Sequence, residues 1–272
     1  MAAGLTRPTP RVLPVLMYHA VTTVPAGPLS DLAVPPRLLA EHLAALSSVG
    51  YRLIGLTEAL EEFAAGSTEP LVALTFDDGY ADFLTAALPA LAAAQASATL
   101  YPSVGHLGGH ANWLGAAATD FGRLLTPGQL AEVAAAGIEI GSHSLIHHPL
   151  DVLTTAQLVE EVTQSRDRLE QQLHRTVRSF CYPHGYHGAR VRAVVARAGH
   201  DNACEVGRRL HRPGDDRFAV PRLQPTPEHR GADLIRLVRH GGSPWVPQAK
   251  RLAQPAWRIT RKAARRFGRQ LT

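Results

Sequence analysis

Short apolar runs alternate along this chain with longer stretches whose apolar positions recur at helical spacing. The runs predict strands at 12–18, 51–54, 71–76, 98–104, 138–142 and 179–182, with weaker ones at 202–206 and 218–220. The amphipathic stretches predict helices at 36–48, 56–65, 82–94, 127–136, 155–174 and 189–198. The fourth helix is punctuated at both ends: Thr126 stands where an N-cap belongs, Pro127 at the first helical position and Gly137 where the helix should stop. Strands alternating with helices predict βαβ units, hence an α/β fold with a parallel sheet or barrel. The segment 105–122 breaks the rhythm. It holds five glycines and Trp113 and reads as a long loop, a feature that in compact domains is usually functional or mobile.

Composition changes this little. The 272 residues are 45% hydrophobic and 19% charged, near globular averages and outside the collagen-like, coiled-coil and disordered classes. Charge changes more, because the formal +5 is unevenly placed. Residues 1–240 carry 20 Lys plus Arg against all 23 acidic side chains, whereas 241–272 carry eight basic residues and no acidic one. The chain therefore divides into a slightly acidic unit, 1–240, and a basic tail, 241–272, entered through a linker at 241–247. Trp257, Ala264, Phe267 and Leu271 fall near one helical stripe of the tail, with six Arg or Lys around the rest. A basic amphipathic helix suits an anionic membrane surface. No recognition motif accompanies the charge, so nucleic acid is not an expected partner. Cys181 and Cys204 form no CxxC pair and are expected as buried free thiols. No window of about 18 apolar residues exists, and residues 1–11 hold no apolar run of signal-peptide length. The expected location is the cytoplasm, with a peripheral position on the inner membrane face as the second expectation.

Polar residues cluster at the ends of predicted strands. The strand at 71–76 runs into Asp77, Asp78 and Gly79; that at 138–142 into His143 and His147; that at 179–182 into Pro183, His184 and Gly185; and the first strand into His19. Parallel α/β folds and barrels build active sites at the C-terminal ends of their strands. One carboxylate and two imidazoles are three protein ligands, the composition of a catalytic zinc site with a position left for water or substrate. His143 and His147, four apart, would share a side if their segment made one helical turn. Adjacent aspartates on a strand point to opposite faces, so one can bind metal while the other addresses the bound water. A metal-activated water beside a free carboxylate is the apparatus of amide or ester hydrolysis. Taken singly, Asp-Asp-Gly is commonly a turn and His-x-x-x-His commonly a surface pair. Their coincidence at strand ends favours the functional reading.

The stretches Thr75-Phe76-Asp77-Asp78-Gly79-Tyr80, His143-Ser144-Leu145-Ile146-His147-His148-Pro149-Leu150 and Arg178-Ser179-Phe180-Cys181-Tyr182-Pro183-His184-Gly185 closely resemble the first three motifs of the NodB-type polysaccharide deacetylases, carbohydrate esterase family four. The resemblance covers about 12–223. It implies a distorted (β/α) barrel of seven or eight strands and removal of acetyl groups from N-acetylated sugars with a divalent metal, zinc first, cobalt or nickel as alternatives. Carried over, it makes Asp77 the general base, Asp78, His143 and His147 the metal ligands rather than His148, and the backbone N–H of His184 a donor to the developing oxyanion. Tyr182, Pro183 and Tyr186 beside the third motif, and Trp113 in the long loop, become candidate substrate contacts.

The chain departs from the family pattern in three places. The arginine that often orients the base is replaced by Cys181; the fourth motif is loosely present around Gly199-His200-Asp201; and the late motif that supplies a general acid is not visible, only His229 and His240 following Leu223. Leu16-Met17-Tyr18-His19-Ala20-Val21 resembles the opening Tyr-His-x-Val motif of the branch acting on poly-N-acetylglucosamine, which would make His19 the acid. Arg222, in Val220-Pro221-Arg222-Leu223, resembles a recurrent late Pro-Arg position of that branch, without a derivable role. Other readings are a hydrolase of a different non-peptide amide or an O-acetyl ester, an inert carbohydrate-binding homologue, and a 2-His-1-carboxylate iron oxygenase. The last usually rests on a β-sandwich, which the strand–helix alternation disfavours.

Overall fold

The computed structural model describes residues 11–23, 25, 27–242 and 257. Eight short strands run parallel: β1 (Val15–Tyr18), β2 (Arg52–Ile54), β3 (Leu71–Asp78), β4 (Thr99–Pro102), β5 (Glu139–Ile140), β6 (Ser179–Cys181), β7 (Asn202–Glu205) and β8 (Val220–Pro221). Between or after them lie α1 (Pro36–Ser48), α2 (Leu56–Ala65), α3 (Leu88–Ala93), α4 (Pro127–Ala135), α5 (Thr155–Leu173), α6 (Ala189–Arg197) and α7 (Gly231–His240). Every predicted strand is present, in most cases shorter than its apolar run.

β3 is the hub. One edge pairs with β1, while the other pairs with β2 through Leu71–Ala73 and with β4 through Thr75–Asp78. β5 follows β4, and β6, β7 and β8 form a second sheet. Single bridges join the two sheets at both margins. At one seam Ser142 N–H donates to Ser179 O (2.9 Å) and Cys181 N–H to Ser142 O (2.8 Å); at the other Met17 N–H donates to Leu223 O (2.8 Å) and Leu223 N–H to Val15 O (2.7 Å). The result is a distorted (β/α) barrel.

All eight residues of β3 are buried, as expected of a parallel strand covered on both faces. Period-two alternation sends Val72, Leu74 and Phe76 outward against Leu39, Leu43 and Leu46 of α1, and Leu71 and Ala73 inward beside Tyr101, Cys181 and Cys204. Asp77 continues the inward row to the barrel's mouth. Cys181 and Cys204 are register partners on β6 and β7, buried and unbridged.

Thr126 caps α4 as predicted, in a reciprocal capping box with Gln129. The single helix predicted at 82–94 is corrected to a π-helical turn, Phe83–Ala87, leading into α3. Pro89 has no N–H to return to the carbonyl four residues back, so the turn widens there, with Leu88 N–H bonding to Phe83 O. The helix α7 was not among the predicted elements. It buries Leu234 and Val238 and packs against α1. Among the described residues no helix is long and apolar enough to cross a membrane. The amphipathic stripe predicted for the tail lies, apart from Trp257, outside the described residues.

Candidate active site

Asp77 and Asp78 both reach the barrel's mouth because the strand ends in a left-handed turn. Asp78 has φ +69° and Gly79 φ +83°, so alternation fails at the last residue and both carboxylates serve one site. A Cβ on Gly79 would stand 2.9 Å from the Cβ of Pro102, so this turn accepts only glycine without displacement of β4.

Asp78 Oδ1 lies 3.5 Å from His143 Nε2 and 3.4 Å from His147 Nε2, and the two Nε2 atoms are 3.2 Å apart. All three side chains are buried. His143 Nδ1–H donates to the carbonyl of Cys181 (2.9 Å), which fixes the tautomer and turns the Nε2 lone pair towards Asp78. Three donor atoms surrounding one point, with the outer nitrogen of His143 held, fit a divalent cation in a nitrogen–oxygen site. The segment from His143 to His147 is not the helical turn that spacing suggested. Ser144 (φ +64°) and His147 (φ +59°) are left-handed, and the rings converge through an irregular turn, meeting edge to face at 4.7 Å. His148 faces away, its Nδ1 3.4 Å from Glu161 Oε1.

Burial acts to raise the Asp78 carboxyl, but hydrogen bonding to His143 and His147 outweighs it and holds the group well below the ordinary carboxylate value. Burial dominates at His147 and pushes its pKa down to about 4, leaving it a neutral donor. At His143 burial is overcome by Asp78 and Asp77, and the pKa rises, so a cation at Nε2 competes with a proton.

Asp77 faces a different partner. Arg222, with no exposed side-chain surface, grips it with two hydrogen bonds, Nη1 to Oδ1 at 2.6 Å and Nη2 to Oδ2 at 2.7 Å. The same guanidinium donates to Thr75 Oγ1 (3.1 Å), the Glu205 carbonyl (3.2 Å) and Cys181 Sγ (3.1 Å). Burial would raise Asp77; Arg222, with smaller help from His143 and His19, holds it below its ordinary value. The arginine absent from the third motif is thus supplied from the end of β8, and Cys181 completes the contact. The strand-end criterion applied to β8 would have found it.

His19 Nε2 is 3.9 Å from Asp77 Oδ2. Burial lowers its pKa, while Asp77 and Asp78 pull it back up. His184 follows Pro183 in a tight turn at φ +58°, its ring 4.6 Å from that of His147. Trp113 lies flat on His147, centroids 4.1 Å apart at 17°, with His106 against it at 5.2 Å. Tyr186 is half-buried at the rim, and its hydroxyl accepts from Trp257 Nε1 at 3.1 Å. Tyr182 must be withdrawn as a side-chain contact for substrate: it is fully buried against Phe180, and its hydroxyl donates to Phe218 O at 2.9 Å. Pro183 is buried as well. The loose fourth motif stays outside the site, with His200 against Phe180 and Asp201 paired to Arg178 ahead of β7.

The polysaccharide deacetylase profile matches residues 64–203, just over half of the chain. The chain belongs to the polysaccharide deacetylase family. Within it, the Bacillus subtilis (strain 168) protein YxkH, which carries the family's name, is 28% identical over 193 residues, covering 70% of this chain. The chain spans 63% of that relative's length. Among solved structures, the deacetylase PplD of Streptococcus pyogenes, in complex with acetate, superposes with a TM-score of 0.72 at 23% identity, over 85% of this chain and 99% of PplD. IcaB from Ammonifex degensii gives 0.71 at 24% identity, over 84% and 97%. A de-N-acetylase from Aggregatibacter actinomycetemcomitans gives 0.67 at 21% identity, over 83% and 99%. These likenesses establish the NodB-type barrel of the polysaccharide deacetylases for this chain.

Proposed function

We propose that this polysaccharide deacetylase family member is a metal-dependent hydrolase that removes acetyl groups from N-acetylated sugars, breaking the carbon–nitrogen bond of a linear amide. The observation that carries the reading is the juxtaposition of the Asp78–His143–His147 donor set with an Asp77 carboxylate clamped by Arg222 and faced by His19. Asp78, His143 and His147 would hold the ion, zinc being first choice for a mixed imidazole and carboxylate set, and a bound divalent ion supplies Lewis acidity and a water of lowered pKa.

The chain's own groups account for the proton movements. Asp77, kept ionised by Arg222, accepts the proton lost by the attacking water, and the lone pair thus freed forms the new carbon–oxygen bond. His19 delivers a proton to the departing amine as the carbon–nitrogen bond breaks. Burial lowers its pKa and the Asp77 and Asp78 charges offset this only in part, so the proton it carries is held less tightly than on a free imidazole and is more readily given up. The His184 N–H, in its left-handed turn, serves the oxyanion, a donor worth on the order of 3 kcal/mol. Tyr186 and the outer edge of Trp113 form the rim for a sugar.

Acetate release across N-acetylated and O-acetylated sugars, oligomers and glycolipids, with Asp78→Ala as the blank, tests the reading. Release from N-acetylated members, lost on chelation and restored by zinc, cobalt or nickel, is expected. Asp77→Asn should cost about 100-fold or more in kcat and His19→Ala a comparable factor. Full turnover by thoroughly chelated protein would refute the metal-dependent reaction, and full turnover by His19→Ala would remove the acid assignment.

A further inference from the structure

The turn that carries both histidine ligands is held by a side chain outside every motif. Glu161 sits in the middle of α5, in the buried stripe formed with Leu158, Val162, Ser165 and Leu169, and is only 6% exposed. A carboxylate in such a stripe is costly unless its oxygens are occupied. Glu161 Oε2 accepts from the N–H groups of both Leu145 and Ile146, each at 3.0 Å. Oε1 stands 3.4 Å from His148 Nδ1.

The opposite side of the turn is held by backbone. Val104 N–H donates to Ser144 O (3.4 Å) and Gly105 N–H to Leu145 O (2.6 Å), while Ser144 Oγ accepts from His147 N–H (3.1 Å). A Cβ on Gly105 would fall 2.7 Å from Leu145 O, so the approach is as close as a chain permits. The turn is therefore gripped between α5 and the segment after β4. It needs gripping, because two of its residues, Ser144 and His147, are left-handed without being glycine, a conformation that persists only where the surroundings impose it.

We propose that Glu161 is a positioning residue for the metal centre: its carboxylate gathers two consecutive N–H groups and so fixes His147 beside His143 and Asp78. The inference rests on the reading of those three side chains as ligands. Glu161 itself touches none of the three ligand atoms and takes no part in proton transfer.

Zinc affinity, measured on the full chain by competition with a chromophoric chelator, tests it, with unfolding midpoints recorded in parallel. Glu161→Ala should weaken zinc binding roughly 10- to 100-fold, the range for removing a group that orients a ligand. Glu161→Gln, which keeps one acceptor oxygen, should fall between Ala and wild type and gives the answer should the alanine variant fold poorly. Val162→Ala, a neighbouring cavity in the same helix, supplies the control for lost stability and should leave zinc affinity unchanged. Wild-type affinity in the folded Glu161 variants would overturn the proposal, as would an equal loss in Val162→Ala. Wild-type protein binding zinc no better than Asp78→Ala would instead defeat the ligand assignment beneath it.

Discussion

Arg222 sets the charge state of Asp77, and the pairing can be broken from either end. Arg222→Met leaves a buried carboxylate without its partner, a change worth about 3–5 kcal/mol when the group stays charged. Because pairing holds Asp77 below its ordinary value, its contribution to stability is complete above about pH 4 and is lost as pH falls through the lower folded value. The variant should lose stability at neutral pH in chemical denaturation, and the pH below which turnover fails should rise as Asp77 returns towards, or above, its ordinary value. Arg222→Lys keeps the charge but not the two-pronged geometry and should recover only part of both effects; unchanged pH profiles in both variants would detach Arg222 from the base. At this scale the sequence was legible where chemistry sits at strong strand ends, as with Asp77, Asp78, His143 and His147. Arg222 was recognised without a role because β8 is two residues long and its apolar signal weak. Glu161 was invisible as a functional residue because a glutamate within a helix reads as solvent-facing; only its place in the stripe of Leu158 and Val162 marks it.

Among the elements, the stretch from β3 into the π-helical turn holds the left-handed Asp78 and Gly79 and, three residues on, the carboxyl of Asp82. Neither carboxylate oxygen of Asp82 has a hydrogen-bond partner of good geometry, and burial pushes its pKa up to about 7, against a weak opposing pull from the Val21 N–H. A carboxyl whose folded pKa is raised contributes its full stability below the unfolded value near pH 4 and loses it as pH rises through the folded one. Wild-type stability should therefore decline between about pH 4 and pH 7 through this group. Asp82→Asn should match wild type near pH 4 and exceed it by about 1–3 kcal/mol near pH 8, as read from urea unfolding at both values. Parallel pH curves for the two proteins would show that Asp82 ionises without cost. Element boundaries were legible wherever a local signal existed, as at the Thr126 cap. The widened turn before α3 depends on a missing N–H at Pro89, which periodicity does not record, and α7 is amphipathic enough to be read but is short and flanked by charge.

For the whole molecule, the excess of positive charge resides in residues 241–272, and the proposed role of that tail is to hold the slightly acidic barrel at an anionic surface. Each basic residue near such a surface is worth about 1 kcal/mol. Full-length protein should co-sediment with vesicles containing anionic lipid, and a chain ending at residue 242 should not; equal sedimentation of the two would remove the tail from any membrane role. Strand–helix alternation pointed to a parallel sheet or barrel and the family resemblance to the barrel, whereas the place of closure was not legible, because it depends on two single-bridge seams rather than on any run of residues. Those seams have a mechanical meaning. One passes through Ser142 and Cys181 beside His143, the other through Leu16 and Leu223 between His19 and Arg222. The narrowest joints of the ring are thus also the joints across which the reacting groups must keep register. On warming, the proposed acetate release should fail at a lower temperature than helical circular dichroism does, and coincident midpoints would deny these joints that role.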